Sequence, residues 1–386
     1  MRVLHLLKTS FGASWALRQI RELQSLGIDV HVALPGNGPM VGRYAAVGAT
    51  EHLIQTDFPL RTPWTFPVLA AKFHQLVDEV KPDVIHSHFV GTTLTMRLAL
   101  GRNHTIPRVF QVPGPLHMEH SFYRRAEIAS SGTVDYWIGS CQWTCIRYRQ
   151  SGIDNSRIFL SYYGTDIEML QRRPTGSLRK ELGVDGQTKI IGMVAYMYAP
   201  KKYLGQRRGL KGHEDLIDAI AICQERNRNL LCVIVGGAWN NAMSYEKALH
   251  DFARQKCGNR VVFLGTRHDV PDLYADFNVV AHPSHSESVG GAAESLLLAV
   301  PTIATRVGGF PDIVRDGITG WLVPPKDPPM LAEAIMNALN CPLEAHKRAQ
   351  TGQQLAREFF DVRRTAAEIA DIYKTICSSE MRIATH

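Results

Sequence analysis

Several common signatures are missing from this sequence, and each absence removes a class of function. Its seven cysteines are scattered at positions 141, 145, 223, 232, 257, 341 and 377. None forms a C-x-x-C pair and the number is odd, so neither a disulfide framework nor a cysteine zinc site is expected. No D-x-D triplet occurs, so a divalent ion held by paired carboxylates is not indicated, and no metal or cofactor is expected. The turn after the first strand-like stretch carries one glycine, Gly12, and no G-x-G-x-x-G, which argues against the usual dinucleotide site. No apolar run reaches the ~18 residues of a membrane span. The apolar stretch 3–7 is interrupted by His5 and stopped by Lys8, too short for a secretory signal. A cytoplasmic protein is therefore expected, with any membrane contact peripheral, on the inner face of the plasma membrane.

What is present is an ordinary globular composition with a basic balance. Apolar residues make up 45% and charged residues 20%; 43 Lys and Arg against 36 Asp and Glu give a net charge of +7. That balance favours anionic small molecules or an acidic membrane surface; no nucleic-acid partner is expected. A chain of 386 residues exceeds one core, so two domains are expected. Short apolar strands at 3–7, 28–34, 84–86, 108–112, 134–138 and 158–160 alternate with helical patterns near 14–26, 66–80, 91–101, 119–130 and 141–151. A second series follows, with strands at 189–194, 230–235, 260–264, 278–281 and 302–304 and helices near 213–226, 243–256, 270–275 and 291–299. Residues 327–378 look wholly helical. This alternation predicts an α/β chain of two parallel sheets, with domains at 1–165 and 189–360, a crossing at 166–188 and a last helix, 361–386, free to return to the first domain. Two such sheets in tandem leave a cleft, the default place for a ligand.

The stretch 282–314, HPSHSESVGGAAESLLLAVPTIATRVGGFPDIV, reads as strand, glycine turn, helix, strand, glycine turn, helix. Ligands of open α/β sheets sit where strand ends meet helix N-termini, and glycines there let backbone N–H groups approach an anion. Glu287 and Glu294 bracket the Gly290-Gly291 pair. Carboxylates are odd at a phosphate site but suit sugar hydroxyls, because an ionised Glu accepts from two O–H donors. Residues 200–213 carry Lys201, Lys202, Arg207, Arg208 and Lys211 with no acid. Cations before a helix N-terminus oppose its dipole unless an anion is bound, and Lys211, beside Gly212 at the helix start, is the best placed to meet a pyrophosphate. His117 follows a strand end, where functional residues concentrate. His86 and His88 form an H-x-H, but with no third ligand nearby in the sequence they are read as hydrogen-bonded structural groups. Arg61, Trp64 and Phe66, in a proline-rich loop, could form an acceptor lip or a membrane-facing edge.

Assembled, these residues resemble the family 4 retaining glycosyltransferases of GT-B fold. The resemblance rests on Lys211-Gly212-His213, Val235-Gly236-Gly237, Gly265-x-Arg267-x-Asp269-Val270-Pro271, Pro283-Ser284, Glu294-Ser295, Pro301-Thr302-Ile303-Ala304 and Gly308-Gly309-Phe310-Pro311-Asp312-Ile313. In the first domain Gly12 and Tyr163-Gly164-Thr165-Asp166 also match. The resemblance implies two Rossmann-like domains and a nucleoside-diphosphate sugar as donor. Glu287 would hold the transferred sugar, with Ser288, Val289, Gly290 and Gly291 alongside, and Glu294 would hold the ribose. Lys211 would stabilise the departing diphosphate, Gly12 would approach the phosphates, and His117 would face the sugar. The chain departs from the family pattern in three places. Six residues, not seven, separate Glu287 from Glu294. Met193-Val194-Ala195 replaces Gly-Arg-Leu, leaving Arg207 or Arg208 as the phosphate arginine. Pro113-Gly114-Pro115 is inserted before His117.

The implied reaction is transfer of a hexosyl group to an acceptor hydroxyl with retention. The expected setting is bacterial surface polysaccharide (O-antigen, capsule or exopolysaccharide), with an undecaprenyl-diphosphate-linked saccharide as acceptor; a soluble small-molecule acceptor is the alternative. A sugar-nucleotide epimerase of the same fold would turn over donor without acceptor. A dinucleotide oxidoreductase would need the missing glycine fingerprint.

Overall fold

A computed structural model describes residues 1–111, 114–171, 176–227 and 229–384, without the side chains of Leu204 and of 379–384. Val112 and Pro113, which belong to the expected 108–112 strand and to the insertion before His117, lie outside the described residues. Two compact units are present: Met1–Asp166 with Phe359–His386, and Ile167–Glu358.

The first unit is built on a seven-stranded parallel sheet of β1 (Arg2–Leu6), β2 (Asp29–Leu34), β3 (Thr50–Leu53), β4 (Val84–Ser87), β5 (Arg108–Gln111), β6 (Asp135–Gly139) and β7 (Ile158–Leu160), in the order β3-β2-β1-β4-β5-β6-β7. The second has six strands: β8 (Lys189–Val194), β9 (Leu230–Val235), β10 (Val261–Phe263), β11 (Val279–His282), β12 (Thr302–Thr305) and β13 (Trp321–Val323), in the order β10-β9-β8-β11-β12-β13. Both are Rossmann-like and doubly wound, with the strand order reversing at β1/β4 and at β8/β11. Such reversals open a crevice beyond the carboxyl ends of the strands.

Central strands are buried on both faces, and β9, LLCVIV, buried at all six positions, reads as an apolar run, whereas β4 and β5 bury polar residues as well. The strands that the sequence pattern passed over are β3 and β13, both at sheet edges. β3 is Thr-Glu-His-Leu, and a strand with one free edge has no need of apolar residues on both faces. Helices pack on the sheets through apolar stripes. Ile191, Leu216, Ile220, Cys232, Leu331 and Ile335 join one core of the second unit. Gly192 in β8 leaves room for the ring of buried Phe277, which an added Cβ would overlap; burying that ring contributes about 1.5–3 kcal/mol.

The stretch expected to be wholly helical, 327–378, is three helices, Pro328–Asn340, Pro342–Phe360 and Val362–Ala384. Pro342 excludes helical geometry from the residue before it, and Cys341 is accordingly at φ −119°, ψ 61°. Asp361 pairs as a parallel bridge with Thr165. The last helix lies against the Ser14–Ser25 helix and places Ile369, Tyr373 and Ile376 in the first unit's core. The 119–130 helix is likewise split, into Leu116–Glu119 and Ser121–Ala129, by extended His120. Within the stretch 166–188 a short helix, Ser177–Leu182, packs Leu178 with Leu273 and Phe277 of the second unit. No helix among the described residues is long and apolar enough to cross a membrane.

Candidate functional site

The second sheet's switch point gathers three loops. After β8 the chain runs through 195–212 into the His213–Arg226 helix; after β11 it turns through 283–289; after β12 it turns again at 306–309. Backbone bonds pin them together: the His285 N–H donates to the Leu210 carbonyl at 2.8 Å, and the Gly309 N–H to the Glu287 carbonyl at 3.3 Å. Gly212 is required here twice over. Its φ is +73°, and an added Cβ would collide with the Pro283 carbonyl.

This packing brings Lys211 and Glu287, 76 positions apart, into an ion pair through Nζ and Oε2. Their side chains retain 20% and 15% of their exposure, so both charges stay reachable. The Lys211 ammonium also lies 5.7 Å from the centre of the Tyr198 ring. Just past Glu287 the Gly290–Leu297 helix starts without a side-chain cap. Nothing lies within 4 Å of where a Gly290 Cβ would be, so the first-turn amides can approach a ligand closely. Ser288 and Val289 are buried. On the same helix Glu294 accepts from the Tyr274 hydroxyl at 3.3 Å; burial pushes its carboxyl up from the usual range, against that hydrogen bond. Beneath the helix His282 contacts Ser295 Oγ through Nε2 at 3.0 Å, and burial holds its pKa down at about 3.

The basic loop divides. Arg208 closes on Asp215 and, at 2.7 Å, on Asp218, both in the following helix. The charge expected to await an outside anion is thus met by the helix's own acids, with Glu214 and Asp215 in its first turn. Lys201, Lys202 and Arg207 are exposed, and among the described residues Arg207 has no ion-pair partner.

In the first unit Gly12 and Ala13 both adopt left-handed conformations (φ 73° and 59°) immediately before the Ser14–Ser25 helix, which also lacks a side-chain cap. Gly12 is exposed. His117 is enclosed: it is 6% exposed, its Nε2 lies 2.9 Å from the Tyr148 hydroxyl, and burial lowers its pKa to about 4. Trp64 is 74% exposed beside Leu60 and Val68.

The H-x-H pair does have a third histidine, which the sequence separation concealed. His5 in β1 is the register partner of His86 in β4, and the ligand atoms of His5, His86 and His88 lie within 4.8 Å of one another. Their hydrogen bonds run one way. Tyr163 donates to the Gln111 carbonyl at 3.0 Å, so His88 Nδ1–H, 3.0 Å from that hydroxyl, must be the donor to it. His88 Nε2 then accepts from His5 Nδ1–H at 2.9 Å, and His5 Nε2 accepts from Tyr373 at 3.4 Å. Finally, His86 Nδ1–H donates to Tyr373 at 2.5 Å. Of the six ring nitrogens of this trio, His86 Nε2 alone is left without a partner among the described residues. One spare lone pair is fewer than the three or four protein ligands of a zinc site.

Two family models match the chain: glycosyl transferases group 1 over residues 202–355 and glycosyltransferase family 4 over residues 12–169. A D-inositol 3-phosphate glycosyltransferase of Corynebacterium aurimucosum is 32% identical over 95% of this chain and 91% of its own length. That of Corynebacterium glutamicum is 30% identical over 59% of this chain, a match spanning about half, 54%, of that relative. Among solved structures, Anabaena Alr3699/HepE in complex with UDP superposes with a TM-score of 0.81 at 24% identity, covering 97% of this chain and 100% of that one. Sucrose-phosphate synthase from Thermosynechococcus elongatus does so with 0.75 at 17%, covering 98% and 100%. With both sheets, their switch points and the full-length relative in agreement, the chain belongs to the family 4 glycosyltransferases of GT-B fold.

Proposed function

We propose that the protein transfers a hexosyl group from a nucleoside-diphosphate sugar to the hydroxyl of a small cyclic polyol, with retention at the anomeric carbon. The observation that carries this reading is the Lys211–Glu287 pair at the second switch point, beside the uncapped Gly290-Gly291 helix start. Donor binding exchanges that one contact for two. Lys211 turns its charge to the diphosphate, and Glu287 becomes free to accept from sugar hydroxyls. Glu294 receives the ribose hydroxyls. As the anomeric C–O bond breaks, negative charge grows on the leaving phosphate, where a preorganised ammonium stabilises the transition state most. The acceptor's proton passes to that phosphate oxygen, so no further base is needed.

The small-acceptor reading is supported by the relatives named D-inositol 3-phosphate glycosyltransferase. The nucleotide-sugar reading is supported by Anabaena Alr3699/HepE, solved with UDP and with UDP-glucose. A lipid-linked saccharide acceptor in polysaccharide assembly is the second reading. Exposed Leu60, Trp64 and Val68 next to Arg61 favour it, since they offer an apolar edge with a cation to a peripheral membrane surface.

Lys211→Ala should lower kcat about 100-fold, the scale of losing one transition-state donor, with the thermal midpoint nearly unchanged. Turnover of UDP-glucose onto D-inositol 3-phosphate, followed by release of UDP, measures it. Undiminished kcat in the folded variant would remove Lys211 from the mechanism. Conversion of the donor to another sugar nucleotide without acceptor would replace transfer by epimerisation.

A further inference from the structure

His117, the residue expected to face the sugar, stands in the short Leu116–Glu119 helix that follows β5. This is the carboxyl end of the first sheet, where open α/β sheets meet their ligands. Its ring lies edge-on to Phe110 of β5, with centroids 5.5 Å apart. Nε2 lies 2.9 Å from the Tyr148 hydroxyl, whereas Nδ1 is buried and without a partner among the described residues.

Tyr148 belongs to the Gln142–Gln150 helix and is fully buried. It packs with Phe110, Met118, Trp137 and Ile158 in one core cluster, its ring centroid 5.9 Å from that of Trp137. Burial, with the Glu127 charge as a second cause, pushes its phenol well above the usual range, so the O–H hydrogen is present at any ordinary pH. Glu127 does not take that hydrogen, since its free oxygen, Oε2, is itself without a partner among the described residues.

A neutral imidazole has one N–H and one bare nitrogen, and burial keeps His117 neutral down to about pH 4. A proton on Nε2 would be donated to the phenol, stranding both a buried hydroxyl hydrogen and a bare Nδ1. A phenol that donates to a bare Nε2 strands only the Nδ1–H. A buried polar group left unpaired loses its water contacts and gains nothing in exchange, so the second arrangement wins. The Gly114 backbone agrees with it. It acts on the ring as a carbonyl acts on an N–H donor, opposing the effect of burial, although no formed hydrogen bond reaches Nδ1.

We propose that Tyr148 is a positioning residue: by donating to Nε2 it holds His117 as the Nδ1–H tautomer, a hydrogen-bond donor to an oxygen of the transferred sugar. The inference rests on the proposed transfer reaction and adds to it a restriction. His117 is no general base, because its one ring nitrogen without a partner carries a proton. The acceptor's proton is thereby left to the departing phosphate.

Proton–nitrogen NMR of the histidine rings on the full chain reads the tautomer without substrate, with His117→Asn assigning the signals. The wild-type ring should show a protonated Nδ1 and a bare Nε2, and Tyr148→Phe should lose that single state. Turnover of UDP-glucose onto D-inositol 3-phosphate reads the role. Tyr148→Phe should lower kcat/KM about tenfold, the scale of one hydrogen bond, at an unchanged thermal midpoint. His117→Asn keeps an amide N–H close to the place of Nδ1–H and should remain near wild type, with or without Tyr148→Phe. His117→Asp offers only acceptor atoms and should lose about 100-fold, the scale of one donor in a catalytic site. A wild-type Nε2–H signature, or an Nδ1–H signature that survives Tyr148→Phe, overturns the lock. Activity kept by His117→Asp and lost by His117→Asn overturns the donor role and makes His117 a base. A wild-type chain that turns over no UDP-glucose breaks the transfer proposal and the sugar role with it, while the spectrum still decides the lock.

Discussion

The two units use the same architecture and treat their polar residues in opposite ways. In the first, charge is turned inward. Arg97 bonds Glu127 at 2.8 Å and Asp135 at 2.9 Å, and Arg108 bonds Asp135 at 2.6 Å, all with side chains at most 1% exposed. The indole of Trp137 donates to Glu127 at 2.8 Å, and His5, His86 and His88 are closed into a relay with Tyr163 and Tyr373. In the second, Lys211 and Glu287 pair at the surface of a glycine-lined turn and stay reachable. A parallel sheet supplies the same strand ends in both cases. Whether those ends become structure or chemistry depends on whether the loops above them leave the charges open.

The sharpest way to break this contrast is to cut the inward network. Arg97→Met leaves Asp135 and Glu127 buried with too little positive charge, and should destabilise the first unit by about 3–5 kcal/mol. Hydrogen exchange of the β4–β6 amides would register it, while exchange in β8–β12 should stay unchanged. A loss below about 1 kcal/mol would mean that the network is not what holds this unit.

Acid should separate the units more gently. Burial holds His5 at about 3 and His117 at about 4, with His86 and His88 also well below the ordinary value. The second unit has His282 at about 3 and His213 at about 4. All are neutral when folded and titrate near 6.5 when unfolded. The unfolded chain therefore binds more protons below that value. Stability is complete above about pH 6.5 and declines as pH falls toward the folded values, by about 1.4 kcal/mol per pH unit for each histidine. With these four groups against two, and with burial lowering His52 and His104 of the first unit as well, the first unit should soften first between pH 6.5 and 5 in calorimetry. Equal acid sensitivity would contradict the contrast.

The smallest effects concern the two arginines. Arg208→Ala should cost the second unit up to about 1 kcal/mol, as for a partly exposed pair, with little change in UDP affinity. Arg207→Ala should leave the thermal midpoint unmoved and weaken UDP binding severalfold. The reverse pattern would make Arg208 the ligand group.

Much of the fold was legible because most strands carry an apolar run, as β9 does, whereas the missed β3 is a polar, half-exposed edge strand. Lys211, Glu287, Glu294 and the Gly290-Gly291 turn could be singled out because their residue types are awkward for a core: glycines at a helix start, carboxylates beside them, cations before a dipole. What could not be read was pairing at a distance. Nothing local announces that Asp215 and Asp218 will take Arg208, that Tyr148 will meet His117, or that His5 will complete a histidine trio with His86 and His88, 81 and 83 residues away.

The last helix, Val362–Ala384, belongs to the core that begins at β1. On the ribosome the second unit is therefore complete before the first can be. β1 to β7 emerge early, but Ile369, Tyr373 and Ile376 arrive only after every strand of the other sheet. At about 5–20 residues per second, the roughly 200 residues between β7 and that helix take some 10–40 s to make. For that interval His5 and His86 lack the hydroxyl that joins them, and the apolar face beside the Ser14–Ser25 helix is bare. The chain's most exposed moment is thus during synthesis, on its earliest-made half.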